Sequence, residues 1–329
     1  MSDKRRYSDY NSYLKALYGE RVQKIVVDAG LDCPNRDGKV SKGGCIYCNS
    51  KGSGSGLWGK GLSITEQIEL GRNAMSRRYN AKKFLVYFQS YTNTYTTCKR
   101  MKAIYDEALG VDGVVGMAIG TRPDCIDREK INLIASYTDK YLVWLEYGLQ
   151  SSHDITLELI NRGHNFACFV NAVEMVKAHE AIYSNHGLSE SSCCYTNRTG
   201  YRNKRINVCA HVILGLPGET SEMMMQTARR IGELGIHGVK IHLLYVVKGT
   251  LLENMFKNGG YTCMTQNDYV EAVCDFIERL PENIVIQRIT GDPHPDELAA
   301  PEWALDKHTT FNMIQKTFEK RDSWQGKFF

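Results

Sequence analysis

No stretch of this chain approaches the roughly 18 consecutive apolar residues of a membrane span, so a membrane-spanning helix is not expected. The opening, Met1-Ser2-Asp3-Lys4-Arg5-Arg6-Tyr7, runs into polar sequence without the apolar core of a secretion signal. No internal repeat or heptad is visible, which argues against a solenoid or a coiled coil. A strong charge of one sign is also missing. The formal net charge of +4 over 329 residues permits a polyanionic partner without demanding one. With 43% hydrophobic and 24% charged residues the chain reads as globular and soluble, and its length suits a single α/β barrel. The expected location is the cytoplasm, where thiols stay reduced.

Cysteine, by contrast, is plentiful, with 11 in the chain. Several look like small core residues; Cys274 shares a helical stripe with Val270, Val273 and Ile277. Three others stand in one glycine-rich loop. It reads Cys33-Pro34-Asn35-Arg36-Asp37-Gly38, then Gly43-Gly44-Cys45-Ile46-Tyr47-Cys48, directly after the apolar run Ile25-Val26-Val27. Three thiolates are one short of a closed tetrahedral zinc site or a four-cysteine iron–sulfur site. A [4Fe–4S] cluster on three cysteines keeps one iron open, and that iron can hold the amine and carboxylate of S-adenosylmethionine (SAM). A zinc knuckle or three buried core thiols are the alternatives. No fourth ligand is evident, and the strand-end context suits the cluster.

Short apolar runs alternate with helical segments. Strands are expected at 23–29, 83–89, 113–119, 141–147, 207–214, 238–245 and 283–289, apolar enough to be covered on both faces. An amphipathic helix is expected at 8–18, from Tyr7, Tyr10, Leu14 and Leu17 on one face. Ser63-Ile64-Thr65-Glu66 forms a capping box opening a helix near 64–79. Phe169, Ala172, Val173 and Val176 make one helical stripe, and Met224, Thr227, Ala228 and Ile231 another. Such alternation gives βαβ units and a parallel sheet, here a partial (β/α)6 barrel, with chemistry at the C-terminal strand ends. The expected organisation is an N-terminal helical segment (1–22), a barrel (23–250) and a C-terminal extension packed on it (251–329). Residues 184–205 read as a polar insertion carrying Cys193-Cys194.

Ordered blocks along the chain carry a resemblance. They are Asp28-Ala29-Gly30, the cysteine loop, Gln89-Ser90-Tyr91-Thr92-Asn93-Thr94-Tyr95, Ile119-Gly120-Thr121-Arg122-Pro123-Asp124 and Trp144-Leu145-Glu146-Tyr147-Gly148-Leu149-Gln150-Ser151. Asn161-Arg162-Gly163-His164, Leu214-Gly215-Leu216-Pro217-Gly218-Glu219, Lys248-Gly249-Thr250, Arg288-Ile289-Thr290-Gly291-Asp292 and Trp324-Gln325-Gly326-Lys327 follow. From about Arg6 to Gly326 the chain resembles radical SAM enzymes, and more closely the YtqA/YhcC group related to the catalytic subunit of the elongator complex. The cysteine spacing is longer than the common superfamily spacing and is the group's own pattern. The insertion at 184–205 is longer than the group usually carries.

The resemblance implies a [4Fe–4S] cluster on Cys33, Cys45 and Cys48, and SAM beside it. It places Tyr47 near the adenine, although core packing suits that residue equally. The run with Gln89, Ser90 and Thr92 is implied to meet the methionine amine, and Thr121 joins the cofactor set. Glu146, a carboxylate in an apolar strand, is implied to contact the SAM amine or ribose, with Gln150 a companion; a solvated strand end is the alternative. Arg162 resembles the arginine that pairs with the SAM carboxylate, unless it is only a helix-terminal cation ahead of Gly163. Leu216 sits in a turn suited to an adenine edge or to plain chain reversal. For proton handling His242, Tyr245 and Asp292 are candidates, with His211 and His294 also near late strands; core or surface roles suit each as well.

The implied reaction is reductive SAM cleavage coupled to modification of the wobble uridine of transfer RNA, turning 5-carboxymethylaminomethyl-(2-thio)uridine into 5-aminomethyl-(2-thio)uridine. The implied partners are transfer RNA, a reductant such as flavodoxin or ferredoxin, and a downstream methyltransferase, with no membrane partner. Basic clusters at Lys4-Arg5-Arg6, Arg77-Arg78, Lys82-Lys83 and 198–205 suit phosphates, though most such clusters are solvated faces. No acetyltransferase domain is expected. A radical enzyme acting on a peptide or small metabolite, and a non-catalytic zinc or iron–sulfur scaffold, are the competing classes.

Overall fold

A computed structural model describes residues 6–49, 52, 57–184 and 205–329. The polar insertion apart from its two end residues, Cys193-Cys194 and the basic stretch 198–204 therefore lie outside the described residues. The chain runs α1 (Tyr10–Tyr18), β1 (Val22–Val27), α2 (Ile64–Tyr79), β2 (Lys83–Phe88), α3 (Cys98–Leu109), β3 (Val114–Thr121), α4 (Arg128–Ala135) and β4 (Leu142–Gln150). It continues through α5 (Asp154–Leu159), α6 (Phe166–Ser184), β5 (Ile206–Leu214), α7 (Ser221–Glu233), β6 (Gly238–Leu243), β7 (Val246–Val247) and α8 (Leu251–Lys257). It closes with α9 (Gln266–Glu278), β8 (Val285–Arg288), β9 (Leu298–Ala300) and α10 (Lys307–Lys320).

Seven strands form one parallel sheet in the order β1-β2-β3-β4-β5-β6-β8. All seven expected strands are there, in an α/β partial barrel. The last, β8, comes from the segment expected to follow the barrel and pairs in parallel with β6. It extends the anticipated six units by one strand.

Period-two alternation decides what each strand shows to either side. Phe84, Val86 and Phe88 of β2 join the large core against the helices, while Leu85 and Tyr87 face the lumen with Ala118, Leu142, Trp144 and Cys209. The helices begin where a side chain can accept a free N–H of the first turn. Asp9, Thr97, Asp127, Thr220, Thr250, Thr265 and Asp306 do this, and Ser63 with Glu66 completes the expected capping box. The stripes predicted on α6 and α7 are buried, as is Cys274 on α9.

Helix α1 closes the lumen at the N-terminal end of the strands. Tyr10 and Leu14 bury against Trp144, Val22 and Val285, with the Tyr10 and Trp144 rings edge-on at 5.7 Å. The segment just before α1 covers the open edge of β8, since Ile286 N–H donates to the Ser8 carbonyl at 2.8 Å. The opposite end, where the strands terminate, is left for chemistry. Among the described residues no helix is long and apolar enough to cross a membrane.

Candidate active site

The loop after β1 is bound to its surroundings largely through two asparagines. Asn35 Nδ2 donates to the Asn161 carbonyl at 2.6 Å, and Asn161 Nδ2 donates to the Gly44 carbonyl at 2.7 Å. Gly44 N–H returns to the Asn35 carbonyl at 2.8 Å, and Ile46 N–H reaches the Ile160 carbonyl at 3.1 Å. Asn161 holds a positive φ of 51°, and Gly163 follows at 74°, where a Cβ would lie 2.4 Å from Asn35 Oδ1. Glycine is the residue that fits there.

This clamp brings Cys33, Cys45 and Cys48 to the wall of one cleft. Side-chain donors aim at two of the sulfurs. Asn35 Nδ2 and Arg162 Nη1 each stand 3.6 Å from Cys45 Sγ, and Arg36 Nη1 stands 3.8 Å from Cys48 Sγ. Two guanidinium charges and an amide suit thiolates bonded to iron, whose sulfurs accept hydrogen bonds and carry negative charge. The three cysteines therefore fit a [4Fe–4S] cluster. Among the described residues no three His, Cys, Asp or Glu side chains converge as a single metal ion requires.

From the cysteines the cleft runs past Gln89, Tyr91, Thr92 and Thr121 to Glu146, His211, His242, Tyr245 and Arg288. Tyr47 and Gln150 also line it. Tyr47 meanwhile packs on an apolar cluster with Ile46 and Leu157, the core role weighed for it, and its hydroxyl is buried beside Cys45. The Ser90 and Thr92 hydroxyls are buried without a hydrogen-bond partner. On the cleft wall, as at Thr92, a buried polar atom of this kind calls for a ligand. Thr121 differs, because its Oγ1 bonds Thr94 Oγ1 at 2.6 Å. Gln150 sits at a bulge with φ of 80°, a conformation costing roughly 1–3 kcal/mol and common where a site dictates backbone shape.

Arg162 is buried, but its nitrogens are engaged by protein. Nε donates to the Gly148 carbonyl at 3.1 Å, Nη2 makes a short bond to the same oxygen, and Nη1 points at Cys45. Gly148 is required for this approach, since a Cβ would lie 2.7 Å from Nη2. A SAM carboxylate would have to share this guanidinium with the cluster sulfur.

Glu146 is fully buried at the lumen end. Lys240 Nζ makes a short ion pair with it, Lys24 Nζ lies 3.6 Å away, and His211 Nε2 lies 2.9 Å away. Burial opposes the charge, but Lys240 and Lys24 outweigh it and hold the carboxyl well below its usual range. Burial pushes Lys240 down to about 7 against the pull of Glu146. Burial, aided by Lys240, brings His211 down to about 4, so its ring is neutral at pH 7. The solvated strand end is excluded, and the carboxylate already has protein partners.

Four expectations are not brought to the cleft: Ser90 is buried behind its wall, between Gln89 and Tyr91, which do line it, and three others lie elsewhere. Leu216 is buried in the apolar cluster with Leu157 and Leu244, because its turn folds inward. Asp292 is exposed and ion-paired with Lys307. His294 is exposed beside Asp296 at 3.6 Å. Conversely, Lys24, Lys240, Arg288 and Arg36 were not anticipated. Lys24 and Lys240 did carry a signal, a lone lysine inside a largely apolar strand.

Comparison with known proteins agrees with this geometry. Residues 38–186 match the model of the radical SAM superfamily, and residues 236–320 match that of a radical SAM C-terminal domain. YtqA of Bacillus subtilis is 35% identical over 325 residues, spanning 99% of this chain and 93% of its own. YhcC of Escherichia coli is 34% identical over 297 residues, 90% of this chain and 87% of its own. A tRNA uridine(34) acetyltransferase of Dehalococcoides mccartyi is 25% identical over 181 residues, 54% of this chain and 33% of its own. Among solved structures, Elp3 of Methanocaldococcus infernus superposes with a TM-score of 0.66 at 17% identity, covering 92% of this chain and 64% of that one.

Proposed function

Because the chain belongs to the radical SAM superfamily, alongside YtqA and YhcC, we propose that it modifies the wobble uridine of transfer RNA, converting 5-carboxymethylaminomethyl-uridine or its 2-thio form to the 5-aminomethyl form. Its cofactors are a [4Fe–4S] cluster and SAM. When bound, they supply a 5′-deoxyadenosyl radical. The observation that carries the uridine assignment is the partial similarity to tRNA uridine(34) acetyltransferases.

In this reading Cys33, Cys45 and Cys48 hold the cluster, and Asn35, Arg36 and Arg162 support the charge on its sulfurs. Thr92 and Gln89 offer acceptors for the methionine amine, and Tyr47 and Gln150 frame the nucleoside of SAM. The lumen around His242 and Tyr245 takes the substrate and excludes water, as radical chemistry requires. The reacting hydrogen lies on the carbon between nitrogen and carboxylate, where the nitrogen lone pair stabilises the carbon radical. Loss of one electron from that carbon radical to the oxidised form of a flavodoxin- or ferredoxin-type carrier, with loss of the nitrogen-bound proton to water, gives an imine. Hydrolysis then leaves the aminomethyl-uridine and glyoxylate.

Mass spectrometry of wobble nucleosides from cells with and without the protein tests the assignment. Accumulation of the carboxymethylaminomethyl form in its absence supports the proposal. Unchanged nucleosides, with a peptide or metabolite altered instead, would assign the radical to another substrate.

A further inference from the structure

Among the described residues, the lumen beyond the cysteines carries more positive charge than its one carboxylate, Glu146, can offset. Lys24 and Lys240 both face Glu146. Arg288 stands beside Lys240 in strand register, as His211 does on the other side, and lines the same cleft. Among the described residues no carboxylate forms an ion pair with Arg288. Asp292 is committed to Lys307, and Glu297 accepts from Asn49 at 3.1 Å. Next to Arg288, His242 Nε2 is buried without a hydrogen-bond partner. The neutral His211 ring is 5.4 Å from that of His242 and adds no negative charge.

A half-buried guanidinium facing a cleft, with an unpartnered ring nitrogen alongside, is an incomplete anion site. Burying surplus cations is costly unless an anion arrives with the ligand. The planar fork of arginine matches a carboxylate through two parallel hydrogen bonds. We propose that the β6–β8 side of the lumen binds a carboxylate carried by the substrate, with Arg288 as its main partner and His242 Nε2 as a second contact. This rests on the wobble-uridine reading for the identity of the substrate, because the group removed there ends in a carboxylate. Glu146 then has a separate task. It pairs with Lys240 and Lys24 and so leaves Arg288 as the cation open to the substrate.

SAM also carries a carboxylate, and the experiment separates the two sources. Anaerobic cluster-loaded full-length protein is compared with Arg288→Gln and Arg288→Lys. The probes are anticodon stem–loops bearing carboxymethylaminomethyl-uridine or its carboxamide. Wild type should favour the carboxylate in KM for stem–loop-dependent 5′-deoxyadenosine formation. Arg288→Gln should erase that preference, raising the KM for the carboxylate about tenfold or more, with Arg288→Lys between them. The affinity for SAM, measured by equilibrium dialysis without RNA, should stay as in wild type. Retained preference in Arg288→Gln, or an equal loss of SAM affinity, would overturn the assignment.

A second arm does not depend on RNA. N-methylglycine, and not its amide, should protect Arg288 from phenylglyoxal, as read by peptide mass spectrometry. Protection without any response to either stem–loop would leave the carboxylate site standing and remove the RNA reading. Absence of protection would remove the site itself.

Discussion

Cys33, Cys45 and Cys48 lie on one cleft wall, and donors address two of the three sulfurs. Changing each cysteine to alanine should abolish bound iron and sulfide and the reduced-cluster EPR signal. A variant retaining a full cluster would show that another residue is the ligand. Arg36 probes the surrounding charge from the outer side of the loop; like Arg162 at Gly148, it also holds a backbone carbonyl, that of Asn49 at 2.8 Å. Arg36→Met should lower the cluster potential by roughly 60 mV, the equivalent of one charge-assisted hydrogen bond. EPR-monitored redox titration reads the shift, and an unchanged potential would detach Arg36 from the cluster. The cysteines were legible in the sequence because their spacing and the preceding strand are local signals. Arg288 and the pairing of Lys24 and Lys240 with Glu146 were not, since they depend on how separate strands align. Asp292 shared a block with Arg288, yet only the arginine reaches the lumen.

At the scale of elements, alternation of apolar runs with helical stripes located every strand of the large sheet. The seventh strand was visible as a run, but its membership of the sheet was not, because pairing with β6 is a long-range fact. Helix α1 was legible from its face, while its role in closing the lumen came only from packing. Leu14→Ala should cost about 2–4 kcal/mol, because Leu14 is buried in the cluster with Tyr10, Val22, Trp144 and Val285 and its truncation leaves a cavity there. Denaturant unfolding checks this, and a loss well under 1 kcal/mol would mean α1 is dispensable to the barrel. The turn after β5 gives a pH test. Burial raises the Glu219 carboxyl to about 7 despite hydrogen bonds from Ser151 and Thr156. The folded state therefore holds this proton more tightly than the unfolded chain, so stability is full below about 4.5 and falls as pH rises toward 7. Glu219→Gln should gain up to about 3 kcal/mol at pH 8 and little at pH 4.5. A gain equal at both pH values would assign the effect to packing.

At the scale of the whole molecule, one cleft joins the cysteine loop at the strand ends to a charged lumen. The chain's relatives span nearly its full length. The hydrogen-transfer step requires that radical generation and substrate share this space. The most direct measurement uses transfer RNA carrying carboxymethylaminomethyl-uridine deuterated at the methylene next to the carboxylate. It is incubated anaerobically with reductant, SAM and the cluster-loaded protein. Deuterium should appear in 5′-deoxyadenosine in step with aminomethyl-uridine. Turnover of SAM to unlabelled 5′-deoxyadenosine, with the nucleoside unchanged, would contradict the account.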